Sequence, residues 1–143
     1  MTGVFVVDEV LEERKRRMEL LSLWIKVPAW WMMLSGLFAL GLYANAIYYD
    51  DLTVVVVFGW SYKGTALALE PLLITSFWIA QSISAYAVVR GRTLGRLTGL
   101  IFAYLYLAIK LGSEFFTPGF DIDIFDILLA IYICKLHKLK SDW

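Results

Sequence analysis

Four long apolar segments divide this sequence, and charged or turn-forming residues separate each from the next. They extend over residues 27–48, 66–89, 97–116 and 120–136. A helix rises about 1.5 Å per residue, so about 20 residues cross a hydrocarbon core of about 30 Å. The first three segments are long enough, whereas the fourth is the shortest and carries Asp123 and Asp126. The pattern predicts an all-α polytopic membrane protein with an antiparallel four-helix transmembrane bundle.

The composition favours the same environment. Hydrophobic residues make up 60% of the 143 residues, and the mean hydropathy is +0.69. A soluble domain of this size buries only about 68–70% of the surface that its unfolded chain exposes, so much of this apolar surface would stay in water. Lipids are therefore an expected partner. The formal net charge is zero, which argues against nucleic acid as the main partner.

The basic residues indicate the orientation. If all four segments cross the membrane, eleven of the thirteen Lys and Arg residues fall on one side. Three or five spans would mix the two sides, and basic residues are enriched in cytoplasmic loops. Both termini are therefore expected in the cytoplasm. The eleven residues are Arg14, Lys15, Arg16, Arg17, Lys26, Arg90, Arg92, Arg96, Lys135, Lys138 and Lys140.

The spans imply a simple organisation around residues 27–136, the transmembrane domain. Residues 1–26 form a cytoplasmic N-terminal segment, and residues 137–143 form a cytoplasmic tail. Within the first segment, residues 8–26 predict an amphipathic helix with Asp8 as its N-cap, because acidic residues precede basic ones. This helix either lies on the membrane surface, binding anionic headgroups or a partner, or it extends the first span.

The outer loop covers residues 49–65 and contains the apolar, β-branched run Thr53–Trp60. This run is too short to cross a membrane as a helix, and its composition favours an extended segment. It would pack on the outer end of the bundle or against a protein partner.

Polar residues are expected to gather in the outer half of the membrane. Lys110 lies about 9 Å from the outer end of the third segment, and Asp126 lies about 9 Å inside the fourth, so the two share a depth. A charge in hydrocarbon costs about 2.5–3.5 kcal/mol, so such residues normally face other helices. Either Lys110 pairs with Asp126 or Glu114 and sets the helix register, or the group forms an outward-open site for a proton, a cation or a small polar ligand. The candidate residues are Asn45, Glu70, Lys110, Glu114 and Asp126.

Small residues in the third segment predict close helix packing. They recur every four residues across the inner half of the span. Because their side chains are small, a second helix backbone can approach closely there. Packing within the same bundle is favoured over an oligomer contact. Gln81, near mid-membrane in the second segment, is expected to hydrogen-bond between helices. The stripe consists of Gly91, Gly95, Gly99 and Ala103.

Features of catalytic or metal sites are weak in this sequence. The three aspartates Asp121, Asp123 and Asp126 could suggest a metal site, but Asp121 and Asp123 are better explained as acids at a helix start. Cys134 is the single cysteine and His137 the single histidine, and both lie near a basic tail. We therefore expect no resident metal or cofactor, and we do not expect an enzyme.

Two functions remain open. The first is a non-catalytic subunit or partner within a larger membrane protein complex, which would bind other membrane subunits or itself. The second is a small homo-oligomeric transporter or channel that uses the acidic and lysine cluster. An intramembrane enzyme acting on a lipid or a quinone is favoured by fewer features than either.

Overall fold

The computed structural model describes residues 2–49, 53–57, 60–114, 124–139 and 143, with side chains for 9–49, 62–113, 124–139 and 143. These residues form five helices and one β hairpin. The predominantly helical fold is confirmed, and the hairpin is an addition to it. In chain order the elements are α1 (Thr2–Leu20), α2 (Leu23–Tyr49), β1 (Thr53–Val57), β2 (Trp60–Gly64), α3 (Leu69–Val89), α4 (Gly95–Glu114) and α5 (Ile124–Lys138).

The N-terminal helix differs from the prediction at both ends. It begins at Thr2, so Asp8 lies inside the helix and is not its N-cap. It ends at Leu20, and the next helix begins at Leu23, where the carbonyl of Ser22 accepts hydrogen bonds from the next turn. Sequence reasoning placed these boundaries wrongly because apolar and charged residues alternate here without a strong helix-stop residue.

Two helices, α2 and α3, are long and apolar enough to cross a membrane among the described residues. Only 28% of the most apolar window of each is buried inside the protein, whereas a core helix of a soluble protein is mostly buried. By length, composition and exposure, α2 and α3 fit the helices of a membrane protein. The described part of α5 has 15 residues, or about 22 Å, which is shorter than a hydrocarbon core of about 30 Å. Spanning by α4 and α5 therefore stays a prediction, and residues 115–123 between them lie outside the described residues.

Helices α2 to α5 share one hydrophobic core. Helix α2 packs on α3 and α5, and α4 packs on the same two neighbours. The core is centred on Tyr132 of α5, which is completely buried. Around it lie Leu21, Ile25, Ala29, Met32, Ala85, Val88, Leu100, Ala103, Leu129, Ile133 and Leu136.

The predicted small-residue stripe packs inside this core. An ideal Cβ on Gly95 would lie 2.5 Å from the carbonyl oxygen of Ala87 on α3. One on Gly99 would lie 2.8 Å from Val88 Cγ2 and from the hydroxyl of Tyr132. Ala103 is completely buried. These contacts favour packing between helices of the same chain over the oligomer contact.

Gly91, the first residue of the stripe, lies in the α3–α4 loop and not on a helix. Its φ of +59° is in the left-handed region, which favours glycine. An added Cβ would also lie 2.8 Å from the carbonyl oxygen of Arg14. The loop therefore requires glycine at this position for its turn and for the approach of α1.

The carbonyl groups of the α3–α4 loop also accept hydrogen bonds from α1 and from the C-terminal residue. Arg14 of α1 donates from Nε to the carbonyl of Arg90 at 3.1 Å. The indole nitrogen of Trp143 donates to the carbonyls of Arg92 and Thr93, each at 3.2 Å. Helix α1, this loop and the C-terminal residue therefore meet at one end of the molecule.

The predicted extended run Thr53–Trp60 contains strand β1 of an antiparallel hairpin and the first residue of β2, Trp60. Strand β1 pairs with β2 from Thr53 opposite Gly64 to Val57 opposite Trp60. The second strand was not predicted, because its sequence WSYKG lacks the apolar run of the first. Pairing satisfies those backbone groups of β1 that face β2, which a lone strand would leave open.

Candidate functional site: an ion pair beside an interhelical cavity

Lys110 and Asp126 form an ion pair between α4 and α5. The Nζ atom of Lys110 donates to Oδ2 of Asp126, and the side chains are 15% and 14% exposed. Asp126 lies in the first turn of α5, where the helix dipole also favours a carboxylate. Of the pairings considered for Lys110, the structure forms the one with Asp126, while the side chain of Glu114 lies outside the described residues.

The other candidates for a polar cluster do not join this pair. Asn45, in the last turn of α2, and Glu70, in the first turn of α3, are both exposed. Trp78 of α3 contacts Tyr106 of α4, which sets the relative height of these helices. Lys110 lies one turn, about 6 Å, beyond this contact, whereas Glu70 lies about 12 Å from it. The sequence placed them in one layer because it could not show this offset.

An aromatic-lined cavity of about 530 Å³ opens between the helices, next to the ion pair. Phe125, the neighbour of Asp126, stacks on Trp31 with ring centroids 4.8 Å apart. On the other side, Trp78 meets Tyr106 edge to face at 6.2 Å. The lining comprises Val27, Pro28, Trp30, Trp31, Met32, Leu34, Ser35, Trp78, Gln81, Tyr106, Phe125, Leu128 and Leu129.

Gln81 is the most deeply buried polar side chain of this lining. It is 2% exposed, and its carboxamide oxygen has no hydrogen-bond partner among the described residues. The hydroxyl of Ser35, also in the lining, donates to the carbonyl of Met32 at 2.9 Å. An interhelical hydrogen bond was expected from Gln81; the neighbouring Ser82 makes one, its hydroxyl donating to the carbonyl of Met33 on α2 at 3.1 Å.

Sequence reasoning missed the cavity altogether. Trp30 and Trp31 lie near the start of the first apolar segment, where aromatic residues are typical of a membrane interface. In the structure this helix begins earlier, at Leu23, so Pro28 is its sixth residue. Both tryptophans line the cavity. Two large adjacent side chains were a signal for the cavity in the sequence. Whether a cavity forms, however, depends on which helices face each other.

The described residues contain no group of three His, Cys, Asp or Glu side chains that could hold a metal ion. Asp121 and Asp123 lie outside the described residues. His137 shares a hydrogen bond of 2.8 Å with the hydroxyl of Tyr104. Cys134 is exposed on α5.

Comparisons of this chain with protein-family models, with curated proteins and with solved structures found no match.

Proposed function

We propose that the chain is an integral membrane protein in which α2 to α5 are all embedded, with both termini on the cytoplasmic side. The shared core of these helices supports the proposal, because lipid around α2 and α3 would also surround their neighbours. The hydrogen bonds of Arg14 and Trp143 to the α3–α4 loop support a common side for both termini. This end also carries the basic residues that favour the cytoplasm.

Cysteine labelling from each side of the membrane tests this topology. Cys134 is replaced by serine, and single cysteines are introduced at Arg92, Lys63 and Trp143. We expect positions 92 and 143 to react from the cytoplasmic side and position 63 from the other. If positions 92 and 143 react from opposite sides, the proposed topology is wrong.

The function that the geometry favours is that of a non-catalytic subunit within a larger membrane protein complex. One face of α2, the Gly41 face (Phe38, Gly41, Asn45 and Tyr48), carries the argument. All four residues are exposed, and an ideal Cβ on Gly41 would have no atom of the described residues within 4 Å. Membrane helices pack through small residues that admit a second backbone and through amides that hydrogen-bond between helices. Gly41 and Asn45, one turn apart, supply both to a partner helix.

Purification in mild detergent tests this role. We expect a second membrane protein to copurify in fixed stoichiometry, and Gly41→Leu to lose it, because leucine fills the space that a partner backbone would occupy. Gly112→Leu on α4 is the matched control, since that position is equally open and lies on another helix. If Gly41→Leu retains the partner as well as the control does, this face is not the interface.

The second candidate function, a homo-oligomeric transporter or channel, is favoured by the partly accessible Lys110–Asp126 pair beside the cavity. The same purification separates the two candidates. A homo-oligomer without any foreign chain supports the transporter or channel, whereas a foreign chain at fixed stoichiometry supports the subunit.

A further inference from the structure

We infer that the interhelical cavity binds a neutral, lipophilic ring compound whose hydroxyl group donates a hydrogen bond to the carboxamide oxygen of Gln81. This inference goes beyond the proposed subunit role, because a subunit needs no small-molecule site. It follows from the size and lining of the cavity, from its unpartnered polar group and from the depth of that group.

The size and lining of the cavity fit a small organic ligand. Its volume of about 530 Å³ lies within the range of about 300–1,000 Å³ that is usual for ligand sites. The stacked Trp31–Phe125 pair and the edge-to-face Trp78–Tyr106 pair present ring surfaces from four different helices. Aromatic side chains pack favourably against other rings in stacked or edge-to-face geometry, so a ring compound fits this lining.

Gln81 supplies the group that orients such a ligand. A buried carboxamide oxygen without a partner is costly, and a donor from a ligand would remove that cost. A half-turn about the last bond of the side chain exchanges the amide oxygen and nitrogen, so the oxygen can turn towards the cavity. The hydroxyl of Ser35 donates to the carbonyl of Met32, and Gln81 is the more deeply buried of the two side chains.

The depth of Gln81 indicates that the ligand is neutral. Along α3, this residue lies about 12 Å from Val89 and about 18 Å from Leu69, which places it near the middle of the helix. A charged headgroup there would lie in hydrocarbon, which is strongly unfavourable. The headgroups of ordinary phospholipids lie at the membrane surface and would not reach this position, whereas an uncharged ring hydroxyl would.

The rim of the cavity provides a route from the bilayer. Trp30, Trp31 and Leu34 line the cavity on α2, and each is more than half exposed on the outer surface of that helix. A lipophilic compound dissolved in the membrane therefore meets the opening directly, without passing through water.

The experiment uses the full chain in phosphatidylcholine nanodiscs with two ligands that differ only in the hydroxyl, para-decylphenol and decylbenzene. A ligand that binds only the folded state raises the unfolding temperature. We expect para-decylphenol to act at concentrations about tenfold lower than decylbenzene, as expected for one buried hydrogen bond. Gln81→Leu should remove this difference, because leucine keeps the size of the side chain but has no acceptor.

Two further variants keep the result interpretable. Thr75→Val, a buried polar position on the same helix outside the cavity lining, should preserve the preference for the phenol. Leu128→Trp should weaken the response to both ligands, because the larger side chain would occupy part of the cavity. The inference is overturned if wild-type protein responds equally to both ligands, if Gln81→Leu keeps the preference, or if Leu128→Trp responds as strongly as wild type.

Discussion

Replacement of Asp126 by leucine is expected to lower the free energy of unfolding by about 3 kcal/mol, because it removes the carboxylate that the ammonium of Lys110 binds. Breaking a mostly buried ion pair at one partner typically costs about 3–5 kcal/mol, since the remaining charge stays desolvated. Both side chains are about one-seventh exposed, so the expected loss lies near the lower end of this range. Reversible unfolding in detergent, followed by circular dichroism, measures the change.

The double variant Lys110→Met, Asp126→Leu distinguishes loss of the pair from loss of packing. Replacing both members of a buried ion pair by apolar residues is often neutral or stabilising by about 1–4 kcal/mol. We therefore expect the double variant to recover most of the stability that the single variant loses. Glu70→Gln, at an exposed acid, is the control and should change stability by less than about 0.5 kcal/mol. A double variant as unstable as the single one would show that the pair does not hold α4 to α5.

The second large effect is expected at Gly95. Gly95→Leu should destabilise the protein by about 3 kcal/mol, because its side chain would enter the backbone of α3. The nearest atoms to an ideal Cβ are the carbonyl oxygen and carbon of Ala87, at 2.5 and 2.7 Å, and the amide nitrogen of Val88, at 2.9 Å. Backbone atoms of a packed helix cannot rotate away as a side chain can, and overpacking costs about 1–3 kcal/mol or more. The midpoint of thermal or denaturant unfolding reports the change.

Gly112→Leu is the matched control for this variant, since it makes the same substitution on the same helix. Within the part of the chain that the structure describes, nothing lies within 4 Å of an ideal Cβ at Gly112. Leucine is also a better helix former than glycine, by up to about 1 kcal/mol, so stability should be unchanged or slightly increased. Equal losses at positions 95 and 112 would mean that α3 and α4 are not in close contact.

Only part of the candidate site could be predicted from the sequence. A rise of about 1.5 Å per residue was enough to place Lys110 and Asp126 at one depth, because a single short connection links their helices. The same argument failed for Asn45 and Glu70, which are exposed, because the relative heights of α2, α3 and α4 depend on side-chain packing. The cavity at Gln81 was not predictable, since it is the space left where four helices do not fill the volume between them.

Hydropathy, small-residue spacing and the distribution of basic residues predicted the helical class, the approximate helices and the close packing at Gly95 and Gly99. These properties are local, or they repeat along a single helix, so they are readable in the order of the residues. Packing alone established the break after Leu20, the second hairpin strand and the convergence of Arg14 and Trp143 on the α3–α4 loop. Each of these depends on which surfaces meet, and that is decided by the energy of the whole assembly of helices and not by any one segment.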